Sequence, residues 1–148
     1  MIKKVVAGLI VLFLSGCASS GRIGDLPTVI GRAPSSQLVL IRVSNFVGGA
    51  NSYFVALDGK DVFSIRSGQY TTFRIPTGEH FVAVKCFGGW SPTWKEDSKR
   101  FVAMQDKTNY FVINPNLSCA EINSVPEEDG RKKMAEGAFV SPETLSSK

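Results

Sequence analysis

From Gln37 onward the apolar positions recur every second residue, the period of a β-strand rather than of a helix. In residues 37–43, Leu38, Leu40 and Arg42 alternate with Val39, Ile41 and Val43. Both faces are apolar for most of that length, as in a central strand covered on two sides. Residues 45–51 interrupt the pattern with Gly48 and Gly49, and 52–57 resume it. Asp58-Gly59 is a strong hairpin signal, because both residues tolerate the positive φ of a type I′ turn, and 61–65 pairs back. After Ser67-Gly68, residues 69–75 set Tyr70, Thr72 and Arg74 against Thr71, Phe73 and Ile75. Beyond the turn at Pro76 and Gly78, residues 80–87 set Phe81, Ala83, Lys85 and Phe87 against Val82, Val84 and Cys86. A Gly- and Pro-containing loop, 88–96, carries both tryptophans, and 98–104 with 109–114 form a last hairpin around Asp106-Lys107. Some seven short strands, spaced by turn residues and without a long helical period, predict an all-β fold, a small antiparallel β-sandwich. Phe73, Ile75, Val82 and Val84 are expected in its core.

The ends of the chain read differently. Lys3 and Lys4 precede a ten-residue run, 5–14, that is apolar but for Gly8. At ~1.5 Å per residue it spans about half a hydrocarbon core, which suits the h-region of an export signal. The run closes on Leu14-Ser15-Gly16-Cys17, which resembles the lipobox of bacterial lipoproteins. That resemblance implies a signal peptide over 1–16, removed before a lipidated Cys17, and hence attachment to a membrane through the lipid. Ala18 rather than Asp after the lipid site favours, by the same resemblance, the outer membrane of a two-membrane envelope. Residues 17–36, rich in Gly, Ser and Pro, are expected to be a flexible tether, 37–122 the sandwich, and 123–148 a C-terminal extension. Within that extension, residues 126–136 put acids first and bases later, as a short surface helix does, although Gly130 weakens it. Residues 141–148 are expected to fray.

Composition narrows the chemistry. With 148 residues and 43% hydrophobic positions the chain makes one globular domain. Of 17 basic residues, Lys3 and Lys4 leave with the signal, so 15 face 13 acidic ones, well mixed along the chain. No basic stripe or nucleic-acid motif is present, so nucleic acid is not an expected partner. With Cys17 lipidated, Cys86 and Cys119 remain in an oxidising compartment, where a lone pair most often bridges. Two separate thiols, with Cys86 buried in its strand, are the alternative.

The run from Asn51 through Asp58-Gly59-Lys60, then Ile65 to Tyr70, then Pro76 through His80 to Val84, resembles a family of small bacterial lipoproteins. These carry a domain of unknown function, similar to the PEGA-like group of carboxypeptidase-regulatory-type β-sandwiches. The resemblance covers about 37–114 and rests on turn motifs, so it implies a fold. Phe63 and Phe73 fit its core places, and it brings no activity, cofactor or catalytic residue.

Candidate chemistry is sparse. His80, the one imidazole, neighbours Glu79, but adjacent strand residues point to opposite faces, so the two form no acid–base pair. A histidine holding a turn backbone is the expectation. Metal ligands are too few for a site, Asp58-Gly59-Lys60-Asp61 lacks the further ligands of a calcium loop, and the Gly pairs lack a phosphate cradle's sequel. No catalytic residue and no cofactor beyond the lipid on Cys17 are expected. Trp90 and Trp94, with Lys95 at the edge, are the suggestive feature: an aromatic platform for a glycan or an envelope protein, or else indoles folded back as plugs. The chain reads as a non-enzymatic binding module of the cell envelope, with an envelope hydrolase or a structural spacer as alternatives.

Overall fold

A computed structural model of the chain describes residues 20–46, 49, 51–88 and 93–146. Cys17 and Trp90 lie outside the described residues. Two sheets make the architecture. One runs β1 (Gly21–Arg22), β4 (Lys60–Ile65), β3 (Tyr53–Leu57), β6 (Gly78–Gly88), β7 (Thr93–Ala103), in that spatial order. The other runs β10 (Ala138–Phe139), β5 (Gln69–Pro76), β2 (Ser35–Arg42), β8 (Thr108–Pro115), β9 (Ala120–Val125). A single helix, α1 (Glu127–Ala135), completes the list of described elements. Among the described residues no helix is long and apolar enough to cross a membrane.

The facing sides enclose one core, with Leu38, Leu40, Val55, Phe63, Ile65, Phe73, Ile75, Val82, Val84, Phe111, Ile113 and Ile122 buried. The alternation of 69–75 and 80–87 therefore placed its inward residues correctly. Asp58 and Gly59 take φ of 51° and 80°, as a type I′ hairpin demands. The two-sided apolarity of β2 has its explanation on the far side of the second sheet. Val39 and Ile41 form a smaller cluster there with Tyr110 and Val112, against which Met134 of α1 packs. Gly130 is the close-approach point, since a Cβ there meets Tyr110 Cδ1 at 2.3 Å. The glycine that weakens the helix locally is what lets it lie on the sheet.

Five expectations change. The hairpin expected between 98–104 and 109–114 does not form: β7 pairs with β6 in the first sheet, whereas β8 pairs with β2 and β9 in the second, so the turn at Asp106-Lys107 carries the chain from one sheet to the other. The sandwich is mixed rather than wholly antiparallel, because β2 pairs β8 in parallel, Leu40 opposite Phe111, and β10 pairs β5 in parallel. Strand β7 starts at Thr93, inside the expected loop, and β9 was not anticipated. Both are edge strands whose polar outward positions hide the period. Residues 20–26 are not a loose tether: Gly21 and Arg22 pair with Ser64 and Phe63, Ile23 donates to the Val62 carbonyl, and Leu26 packs on the core. The tail does not fray before 146 either. Arg22 N–H donates to Thr144 O at 2.7 Å, and Ser146 N–H donates to Arg22 O at 2.9 Å.

One end of the sandwich gathers Ile65, Gln69, Arg42, Tyr53, Phe87, Trp94, Pro115 and Ala120, by the strand registers. Antiparallel to β4, β1 runs away from that end, so the chain enters the fold there.

Candidate binding surface

The outer side of the second sheet is covered by α1, whereas the outer side of the first carries exposed aromatics. Phe87 and Trp94 face each other across β6 and β7, with ring centroids 5.6 Å apart. Phe54 of β3 reaches Trp94 at 5.6 Å from the other side. Trp94 keeps 60% and Phe87 57% of their surface in solvent. Tilted contacts of this kind hold the rings against one another without burying them, so the cluster is rigid and open.

Polar groups border it. Lys85 Nζ donates to Asp61 Oδ1 at 2.8 Å and lies 4.0 Å from Glu96 Oε2. The hydrogen bond to Asp61 raises the Lys85 pKa above its ordinary value, against a smaller opposing effect of desolvation. Its ammonium is thus fixed in the charged form. Asp61, Lys85, Trp94, Lys95 and Glu96 line a shallow groove of about 340 Å³. An aromatic face beside a hydrogen-bonded row of carboxylate, ammonium and carboxylate offers both stacking and polar contacts.

Placement of the predicted residues is uneven. Trp94 is exposed, as a platform requires, yet it belongs to a strand and not to a loop. Lys95, expected at its edge, does border the groove, but the pleat reverses successive side chains and turns its ammonium away from the Trp94 face. Its Nζ donates to Ser118 Oγ at 2.7 Å, and Lys85 takes the place foreseen for it. Phe54, Phe87, Lys85, Asp61 and Glu96 were not singled out from sequence. The outward set Phe81, Ala83, Lys85 and Phe87 was legible in the period, but its neighbours come from β3 and β4, which pairing alone discloses.

Cys86 and Cys119 lie at disulfide distance, Cα–Cα 5.8 Å, and link the first sheet to the start of β9. Beside them Asp97 Oδ2 accepts from the Ile122 N–H at 2.8 Å, and Tyr53 Oη donates to Cys119 O at 3.2 Å. This corner is stitched from β7 to β9.

His80 does hold a turn backbone, with Nε2 2.8 Å from Pro76 O. Its Nδ1 lies 2.7 Å from Asp58 Oδ2, a partner that sequence did not suggest, while Asp58 Oδ1 accepts from the Phe81 N–H. Both ring nitrogens are engaged, and the nitrogen that a nucleophile needs in a Ser–His–Asp arrangement faces Pro76 instead. The imidazole, 7% exposed, clasps the β3–β4 turn to the β5–β6 turn. Among the described residues no group of three or more His, Cys, Asp or Glu side chains converges as a metal site would.

No family model, curated protein or solved structure matches the chain.

Proposed function

We propose that the protein is a lipid-anchored binding module of the cell envelope, attached through Cys17 and taking a glycan or protein partner on the outer face of its first sheet. The observation that carries the reading is the cluster of exposed Phe87 and Trp94 with half-buried Phe54, beside the Asp61–Lys85–Glu96 row. Aromatic side chains give large contact area at little entropic cost, and loops and sheets seldom keep several of them in water without a partner. The lipobox resemblance supports the anchor, and two or three acyl chains make such attachment lasting.

A hydrolase is the second reading, and one feature favours it. Asp61 and Glu96 approach the same ammonium, close enough for the carboxylate pairs of glycosidases, whose separations run roughly 5–9 Å. Lys85 sits between them, however, and a hydrogen-bonded ammonium there suits recognition of ligand hydroxyls better than proton donation.

The test is photo-crosslinking in cells from positions beside Trp94, comparing the parent with Trp94→Ala/Phe87→Ala. Lost capture with unchanged circular dichroism supports the reading. Undiminished capture of the same partners by a folded double variant overturns it. Turnover of envelope glycans that disappears in Glu96→Gln would instead establish the hydrolase.

A further inference from the structure

Exposure of apolar side chains is not confined to the aromatic face. Phe46 is fully exposed, and Leu117 keeps 74% of its surface in solvent. Both stand on loops at one end of the sandwich. Phe46 follows β2 beside Asn45, whose N–H donates to Ser67 Oγ in the β4–β5 turn, and Leu117 lies in the turn where Asn116 N–H donates to Cys119 O. Exposure alone selects no end, because Ile30 and Met104 are also exposed and lie at or near the other.

The reach of the chain does select one. Ser20 Oγ accepts from Gln69 Nε2 at 3.2 Å, and Gly21 pairs with Ser64, so the chain is fixed to the fold from residue 20. A Cβ at Gly21 would meet Thr144 O at 2.5 Å, so this junction is tight. Only three residue steps separate Ser20 from Cys17. Three residues, fully extended, cover about 10 Å, whereas the eleven residues of β6 rise about 36 Å from one end of the sandwich to the other. Acyl chains on Cys17 belong in the hydrocarbon, and the headgroup layer above it is only about 5–7 Å deep.

We infer that the end bearing Phe46 and Leu117 seats on the phospholipid surface, with these two side chains in the headgroup region. The inference rests on the lipidation of Cys17 proposed above. The occupant is a bilayer because the segment outside the structure leads to that end and is too short to lead elsewhere. Large apolar side chains on loop tips gain from leaving water at such an interface. Phe87 and Trp94, near the same end, are then held close above the headgroups, so that their partner meets the module at the membrane surface.

The test uses the full lipoprotein in phosphatidylethanolamine–phosphatidylglycerol vesicles whose acyl chains carry bromine, a short-range quencher of indole fluorescence. With Trp90→Phe and Trp94→Phe as background, a reporter is installed by Phe46→Trp, by Leu117→Trp or, at the far end, by Lys107→Trp. All three sites are exposed, so at least one near-end variant should keep the parent's circular dichroism. Quenching at 46 or 117 about twofold or more above that at 107 is expected, since the bromines lie within the ~30 Å hydrocarbon layer. Fatty-acid labelling of the same sample reports the anchor separately. Equal quenching at both ends of a labelled protein overturns the docking and leaves the anchor standing. A protein without label overturns both.

Discussion

The guanidinium carbon of Arg42 stands 3.7 Å from the centre of the Tyr53 ring. An arginine that is 1% exposed closes the core at one end, donating to the carbonyls of Asn51 and Ile65. Burial lowers its pKa from the ordinary value, Arg66 adds to the lowering and Tyr53 opposes it. The planar fork serves ring and carbonyls together, which a compact ammonium does not.

Arg42→Met should therefore destabilise by about 2–4 kcal/mol, because buried carbonyls lose charged donors while volume is nearly kept. Arg42→Lys should recover less than half of that loss. Urea unfolding monitored by circular dichroism measures both, and a midpoint within error of the parent for Arg42→Met contradicts the assignment.

At Gly130 two effects oppose. Helix propensity favours Ala by about 1 kcal/mol, whereas a Cβ would press on Tyr110 Cβ, Cγ and Cδ1. These atoms lie next to the backbone and yield poorly, so overpacking of about 1–3 kcal/mol wins. Gly130→Ala should lower the melting temperature, and a rise would show that α1 lifts off the sheet at no cost.

Cys86 and Cys119 are 33 residues apart, for which the chain-entropy model gives about 3–4 kcal/mol of stabilisation. The purified, non-reduced protein should show no thiol at these positions even in denaturant. Reduction should shift unfolding to lower urea. Alkylation of both residues without reductant excludes the bridge.

Asp97 restrains an edge. Its carboxylate takes the outward N–H of Ile122, a group that otherwise invites a strand from another molecule. Asp97→Ala should cost about 1–3 kcal/mol for the unsatisfied donor and promote self-association visible by sedimentation. Asp97→Asn, still an acceptor, should behave close to the parent.

The division between what the chain revealed and what it hid has a physical cause. The period of two found β2 to β6 and the strands on either side of Asp106-Lys107, because each buries a regular row on at least one face, but it did not show that these last two strands part into different sheets. Phe73 and Ile75 inside, and Asp58-Gly59 in its turn, follow from local chemistry alone. Strand β9, by contrast, buries Ala120 and Ile122 among Glu121, Asn123 and Ser124, too weak a row to read. The start of β7 is hidden by the run of charges from Lys95 to Arg100, the sign of a strand on an edge. The aromatic surface was half legible: Trp94 stood out by residue type, but Phe54 and Lys85 join it through β3–β6 pairing. Likewise Asp58 reaches His80 only because two turns meet at one end of the sandwich.

The bonds between Arg22 and residues 144 and 146 impose an order in time. A chain that emerges N-terminus first, from the ribosome or in the export proposed above, delivers β1 early and its partners at 144–146 more than a hundred residues later. Until those partners emerge, the edge beside β4 has only the short run at Gly21 and Arg22, too little to hold alone. Residues 144–146 thus secure β1 only after most of the described chain has emerged, so that chains interrupted before Thr144 should stay open at residues 20–26. Protease added to such stalled chains should cut there while β2 to β9 resist, and equal resistance would show that β1 docks without its late partner.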